Sequence, residues 1–172
     1  MVNLENTLIG SILALMIFSS NGIPICFSIS TANVHASKCD SLLESFSKTY
    51  SSISIFADKG YDSSKLIDSA DRLGISLICP INKRNTQKLK VSNMSKLRFR
   101  NYEFLSSPTG KRLYKKRWTI ERLFGNLKEN YNIDNHRVRV LNRKFFNISF
   151  NILLFSVEKA IAFLIYFCNT LF

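Results

Sequence analysis

An α/β fold is the class that the sequence predicts, and three observations support it. Short apolar segments alternate with helix-like segments between residues 37 and 80, as in strands joined by crossover helices. Of the 172 residues, 46% are hydrophobic, which is enough for the core of one domain. The chain contains only 6 glycines and 3 prolines and shows no repeat, which excludes a linker, a collagen-like segment and a repeat array.

The amino-terminal half predicts a hairpin followed by alternating helices and strands. The apolar run 8–18, the turn signal 19–22 and the run 23–29 predict two antiparallel strands. Residues 37–50 carry apolar side chains at helical spacing, and residues 53–57 form a β-branched and aromatic strand that ends at Asp58. A cap at Asp62 or Ser63 and a stop at Gly74 bound the next helix, and residues 75–79 form a second buried strand.

The second half of the chain begins with a segment that has no regular hydrophobic pattern. Residues 82–107 show no clear period and are predicted to form a basic insertion or loop. A long helix is expected over residues 111–129, and an apolar helix that packs across the sheet is expected over residues 142–168. We therefore expect residues 1–144 to form one domain and residues 145–172 to form a helix that packs on it.

Basic residues are concentrated in one part of the chain. The sequence has 24 Lys and Arg against 12 Asp and Glu, a formal charge of +12. Residues 81–144 hold 18 basic and 4 acidic residues, a net charge of +14, so the remainder of the chain sums to −2. A local excess of this kind indicates a polyanionic partner.

The cysteines and the apolar ends define neither a metal site nor a membrane anchor. The four cysteines lie far apart and the only histidines are His35 and His136, so we expect free thiols in a reducing compartment. The uncharged run 7–18 lacks the basic start of a signal peptide. Glu158 and Lys159 divide the apolar tail into runs of 13 residues, too short to span a bilayer, so we expect a buried core helix. A small basic membrane protein is a remote alternative.

Four polar residues of the predicted long helix share one face. They are Tyr114, Arg117, Glu121 and Lys128, which fall within a stripe about 60° wide at about 100° per residue. Apolar residues flank this stripe, so we expect Glu121 at the rim of the core. The open side of the helix, where a phosphate backbone could approach, carries Lys111, Lys115 and Arg122.

Two interpretations of the acidic residues remain open. Glu121 and Arg117 can form an ordinary i,i+4 ion pair on a solvated face, worth about 0.3–0.5 kcal/mol, and Asp58 can be a turn residue or a helix cap. The other interpretation is a site, because sites form at strand ends in α/β sheets. Carboxylates from a strand end and from a facing helix can hold a divalent ion there.

Several segments resemble the DDE transposases of bacterial and archaeal insertion sequences. Residues 57–63, Ala-Asp-Lys-Gly-Tyr-Asp-Ser, look like the second-aspartate motif of that family. The pattern Tyr114-x2-Arg117-x3-Glu121-x6-Lys128 matches its Y-R-E-K signature in every spacing. Further similarity lies in residues 21–24, 31–35, 80–85 and 117–124, so the likeness runs from about residue 8 to about residue 144.

The resemblance implies an enzyme with an RNase H-like mixed sheet flanked by helices. In such a transposase catalytic domain, two Mg²⁺ ions, or Mn²⁺ in their place, support cleavage and joining of DNA strands. Asp58 would be the second acidic metal ligand and Glu121 the third, and both would be catalytic residues. The implied DNA-binding residues are Tyr114, Arg117 and Lys128 near the scissile phosphate, together with Lys111, Lys115 and Arg122. The implied partner is double-stranded DNA at insertion-sequence terminal repeats, in the cytoplasm at the nucleoid and without a membrane.

The chain departs from the family pattern at its start. The first catalytic aspartate of the family ends the first strand, ahead of the run 8–18, and this chain has no Asp before Asp40. We therefore expect a truncated transposase domain that lacks the first strand and is inactive alone. A full-length transposase or a separately encoded amino-terminal part would be its partner. The alternative is a non-catalytic DNA-binding fragment that modulates a full-length transposase.

Overall fold

A mixed five-stranded sheet forms the centre of the protein in the computed structural model, which describes residues 2–9, 12–19, 21–31, 37–83, 94–131, 133 and 140–170. The strands are β1 (Val2–Ile9), β2 (Ile12–Ser19), β3 (Pro24–Thr31), β4 (Ile53–Ala57) and β5 (Ile75–Ile78). The helices are α1 (Ser37–Ser47), α2 (Ser64–Arg72), α3 (Lys96–Ser106), α4 (Pro108–Lys115), α5 (Trp118–Asn130) and α6 (Leu141–Thr170). A short 3-10 turn, Lys59–Tyr61, follows β4.

The strands lie across the sheet in the order β3-β2-β1-β4-β5. β1, β2 and β3 are antiparallel neighbours, whereas β4 is parallel to β1 and β5 is parallel to β4. Because parallel strands cannot be joined by a tight turn, α2 carries the chain from β4 to β5. The predicted mixed α/β class is confirmed.

Helices cover both faces of the sheet and create two apolar clusters. One cluster joins the sheet to α1 and α2, and its buried members include Leu4, Leu43, Phe46, Ile55 and Ile67. The other joins β2 to α5 and α6, and its buried members include Met16, Phe18, Phe124, Leu127 and Ile152. α5 is therefore held against the sheet face opposite to α1 and α2, with the ring of Phe18 edge-on to that of Phe124.

The predicted hairpin is present, and its turn also packs against α5. β2 and β3 pair in antiparallel register, with Met16 opposite Phe27. Gly22 adopts a φ of +77° in the turn, a conformation that glycine enters at little cost. A Cβ atom there would stand 2.7 Å from Cδ1 of Leu123 on α5, so a larger residue would require the Leu123 side chain to shift.

A strand precedes the run that we expected to come first. The hydrophobic pattern predicts residues 8–18 as one strand of a domain without its first strand, whereas the structure divides that run between β1 and β2. The polar residues of β1, such as Asn3 and Glu5, gave no strand signal. β1 is ordered by backbone pairing on both sides, and its Leu4 pairs with Ala57 of β4. Glu5 follows Leu4 in β1, as Asp58 follows Ala57 at the end of β4.

The expected long helix over residues 111–129 is wrong, because two helices replace it. α4 ends at Lys115 and α5 begins at Trp118. Between them, the N–H groups of Lys116 and Arg117 donate to the carbonyls three residues back, at 3.1 and 3.0 Å. Such 3-10 bonds wind the chain more tightly than an α-helix. Tyr114 and Glu121 therefore lie on different helices, and the single stripe of polar residues does not exist as predicted.

The segment 82–107 is more ordered than an insertion loop, although residues 84–93 lie outside the described residues. It contains α3, whose amino terminus is capped by the hydroxyl of Ser95, which accepts from the N–H of Arg98. Asn101 of this helix is buried and donates to the carbonyl of Leu77 in β5, at 2.7 Å. Because polar contacts of this kind hold the helix, its sequence shows no regular spacing of apolar residues, and the helix was not predicted.

The carboxy-terminal helix packs on the domain through its first half. Its buried residues there are Ile148, Ile152 and Phe155, whereas most of the described residues beyond 155 are exposed. The expected buried core helix over residues 142–168 is therefore wrong for its second half. A helix of 30 residues is about 45 Å long, far longer than the sheet it covers. The segment Asn142–Asn169 is long and apolar enough to cross a membrane, which is weak evidence by itself.

Candidate active site

Asp58 stands at the carboxyl end of β4, as the sequence predicted. The strand is buried along its second half, and the 3-10 turn begins directly after Asp58, whose carbonyl accepts from the N–H of Tyr61 at 3.0 Å. Because the apolar strand must end where the chain turns, the carboxylate of Asp58 emerges at the edge of the core. Its side chain is 46% exposed.

Arg117, in the junction between α4 and α5, brings the two predicted carboxylates together. Its guanidinium lies 3.6 Å from Oδ1 of Asp58 and 3.7 Å from Oε1 of Glu121. The Arg117 side chain is 11% exposed, whereas the Glu121 side chain is 63% exposed, so this carboxylate lies at the surface and not within the core. Ion pairs of such exposed carboxylates contribute little to stability. The junction instead has a geometric effect, because it places two carboxylates that are 63 residues apart in sequence next to one guanidinium.

The two carboxylates open into a cleft of about 650 Å³. It is lined by Asp58, Pro80, Leu105, Lys111, Tyr114, Lys115, Arg117, Trp118 and Glu121. The cleft therefore combines acidic groups with basic side chains and one exposed indole ring. That combination suits a polyanion whose reacting phosphate approaches a cation held by the carboxylates.

Tyr114 acts as a strut between α4 and β4. Its hydroxyl donates to the carbonyl of Ala57 at 3.3 Å, one residue before Asp58. Its ring packs beside that of Phe56, with the centroids 6.4 Å apart, and the guanidinium of Arg117 lies 5.7 Å from the ring centroid. The contacts tie both Arg117 and the end of β4 to one side chain. Spacing alone could not reveal this, because it placed Tyr114 and Glu121 on one helix face.

The basic residues of the prediction occupy three different environments. Lys111 and Lys115 are exposed and line the cleft, as expected for residues on the open side. Arg122 lies with its guanidinium 3.9 Å from the ring centroid of Trp118, a residue that the sequence analysis did not single out. Lys128 is half-buried two turns beyond Glu121 on α5 and does not contribute to the described lining of the cleft.

Asp62, expected to cap α2, instead fixes the loops around the cleft. Ser63 holds the cap position, and the Asp62 carboxylate accepts from Arg98 Nε at 2.7 Å and Nη2 at 2.5 Å. It also accepts from the N–H of Asn82 at 2.7 Å. The hydrogen bond to Asp62 raises the pKa of Arg98 above its usual value. No sequence signal links residues that are 36 positions apart.

The cleft offers the type of ligand that a hard divalent cation prefers, but few such ligands. Asp58 and Glu121 offer carboxylate oxygens, the ligands that Mg²⁺ prefers, and their exposure leaves room for the waters that Mg²⁺ retains. Among the side chains that the structure describes, no three His, Cys, Asp or Glu residues form a group that could hold a metal ion. Two carboxylates, those of Asp58 and Glu121, are thus the candidate ligands in the described part of the cleft.

Comparison with protein families shows to which family the chain belongs. The model of the transposase DDE domain matches residues 6–155, from β1 into α6. The chain belongs to the DDE transposase family. The resemblance inferred from the Y-R-E-K spacing is thereby confirmed, and membership supports a function in DNA transposition. No curated protein matches the chain significantly.

Proposed function

We propose that the chain is a catalytic-domain fragment of an insertion-sequence transposase, with an RNase H-like sheet, that acts on phosphodiester bonds at the ends of the element. The observation that carries the proposal is the convergence of Asp58 and Glu121 on Arg117 within a domain that matches the family model. Residues 1–144 would form the catalytic domain, with the helix from 145 onward packed on it. The fragment would act at the nucleoid, in the cytoplasm.

Asp58 and Glu121 would hold the divalent metal, Mg²⁺ or Mn²⁺. When bound, the metal would supply activation of a water or a DNA 3′-hydroxyl and neutralisation of the leaving oxygen. Arg117 keeps the two carboxylates close together before any metal enters, because the guanidinium offsets their mutual repulsion. Tyr114 maintains the end of β4 next to the junction through its hydrogen bond to Ala57.

The basic side chains of the cleft would hold the DNA backbone. Lys111 and Lys115 lie on the exposed face of α4 at the cleft that contains the carboxylates. Lysine side chains neutralise phosphates as mobile point charges, so these two positions fit any DNA sequence. Arg117, Arg122 and Lys128 would add contacts nearer to the ends of α5. Duplex DNA at terminal repeats is thus the proposed substrate.

We propose further that the chain alone does not transfer DNA strands. The family reaction would need two bound metal ions at the phosphate, and two carboxylates provide too few ligands for the second ion. The chain has no Asp before Asp40, and a full-length transposase or a separately encoded amino-terminal part would supply the missing ligand. One residue of this chain competes for that role: Glu5, which follows Leu4, the residue of β1 that pairs with Ala57.

Cleavage of the DNA that flanks the gene tests the proposal. An extended protein in which the first strand of a complete family member, with its aspartate, replaces β1 should cut the terminal repeats in Mn²⁺, and residues 1–172 should not. Glu121→Gln should abolish cutting by the extended protein, while the matched change Glu129→Gln at the far end of α5 should leave it intact. Cutting by the unextended chain that is lost on Glu5→Gln would contradict the proposed inactivity and give the third ligand to Glu5.

The excess of positive charge favours a second candidate, a fragment that binds DNA without cutting it and modulates a full-length transposase. The net charge of +14 over residues 81–144 and the exposed lysines of the cleft serve binding whether or not metal is held. If the extended protein binds terminal-repeat DNA but never cuts it, the second candidate is correct. A membrane protein, in contrast, would not account for the family match over residues 6–155.

A further inference from the structure

Trp118 is the single tryptophan of the chain, and the residue is 58% exposed and lines the cleft. A solitary exposed apolar side chain needs no explanation by itself. Two further observations set Trp118 apart from other exposed apolar residues. Its ring lines the same cleft as Asp58 and Glu121, and the guanidinium of Arg122 lies 3.9 Å from its centroid.

Trp118 and Arg122 together form a flat and positively charged surface. They are four residues apart on α5, so one helix presents both side chains on the same side. The guanidinium attracts the electron-rich face of the indole, and this interaction restrains the orientation of the ring. Arg122 can cover at most one face of the ring, and the exposed part of the indole is available to a second flat group.

The surroundings specify the chemistry of that second group. Lys111 and Lys115 line the cleft together with Trp118, so an anion is favoured next to the ring. A nucleotide combines a flat aromatic base with an anionic phosphate. Bases inside a duplex already stack on their neighbours, whereas an unpaired or frayed terminal base has a free face.

We propose that Trp118, backed by Arg122, is a stacking platform for an unpaired nucleobase at the DNA end that occupies the cleft. The proposal rests on the proposed function, because it takes the DNA end as the ligand. It adds a substrate preference that neither the family match nor the carboxylates provide: ends with unpaired nucleotides over blunt ends. The preference does not depend on base identity, since every base has a π-face.

The fluorescence of Trp118 reports directly on this contact, because no other tryptophan contributes. The full chain is titrated with a 30-base-pair blunt duplex and with the same duplex carrying a three-nucleotide overhang, without metal. We expect the overhang duplex to quench the fluorescence more strongly and to bind more tightly. Trp118→Ala, followed by anisotropy of labelled DNA, should weaken overhang binding by roughly 5- to 150-fold and blunt binding much less. Phe146→Ala, which removes another exposed ring, on α6, is the matched control and should change neither affinity.

The outcomes separate this inference from the proposed function. If both duplexes bind the wild-type chain equally and Trp118→Ala weakens them to the same extent, the stacking platform is overturned while DNA binding stands. If neither duplex binds, the proposed function fails, and the platform fails with it. A variant Trp118→Phe that recovers part of the overhang preference would support stacking over a merely structural role of the indole.

Discussion

Removal of the two cleft lysines is predicted to weaken the salt dependence of DNA binding by a calculable amount. Lys111 and Lys115 are exposed and line the cleft, so each is expected to neutralise one phosphate. Each phosphate contact with duplex DNA contributes about 0.9 to the slope of log K against log salt. The double variant Lys111→Ala/Lys115→Ala should therefore have a slope shallower by about 1.8. Between 50 and 200 mM salt, the wild-type chain should lose about tenfold more affinity than the variant.

The assay is the anisotropy of a labelled duplex titrated at four salt concentrations over that range. The control is Lys48→Ala/Lys65→Ala, which removes the same charge from exposed positions at the end of α1 and on α2, on the opposite side of the sheet. Its slope should change by much less than 1.8, because those lysines face away from the cleft. Equal slopes for the two double variants would refute the assignment of α4 to the phosphate backbone. Adding Arg122→Ala should make the slope shallower by less than the value for one phosphate contact. The reason is that the Arg122 guanidinium lies on an indole ring.

Three further predictions concern the framework of the cleft. Asp62→Ala leaves the partly buried Arg98 without its partner, so we expect the free energy of unfolding to fall by about 3 kcal/mol. The thermal unfolding midpoint should fall by about 6–12 °C, and an unchanged midpoint would contradict the role of Asp62 in fixing the loops. Gly110→Ala would place a Cβ 1.9 Å from the carbonyl oxygen of Phe104, so we expect a loss of about 1–3 kcal/mol in denaturant titration. Burial raises the pKa of Cys39 and of Cys79 to about 12, so at pH 8 both remain protonated and should react with a thiol reagent far more slowly than the exposed Cys168. Equally fast modification of all thiols would show that these two are not buried.

The sequence revealed the elements whose hydrophobic pattern is local. β4 lies where its β-branched and aromatic residues predicted it, and α2 ends just before Gly74, which adopts a positive φ. Asp58 follows β4 for the same reason. Elements held by long-range polar contacts were not predictable: β1 depends on pairing with two neighbours, and α3 on the contacts of Arg98 and Asn101.

The residues of the candidate site were found from their spacing, whereas their geometry was not predicted. The spacing of Tyr114, Arg117 and Glu121 identified the family, yet its helical-wheel explanation was wrong because the chain changes from α4 to α5 at Arg117. No glycine or proline marks this junction, so nothing in the local sequence signals the change of helix. The same junction gives Arg117 its reach to both carboxylates. Trp118 was overlooked because a single aromatic residue carries no period.

The central claim is that Asp58 and Glu121 together hold a divalent metal ion. Electron paramagnetic resonance of free Mn²⁺, titrated with the full chain bound to duplex DNA, measures this binding without requiring activity. We expect one Mn²⁺ site that weakens at least tenfold in Asp58→Asn and equally in Glu121→Gln, because either change removes one of the two proposed ligands. The control Glu129→Gln, with an exposed carboxylate at the far end of α5, should bind as the wild type does. Mn²⁺ binding that is the same in all four proteins would contradict the account.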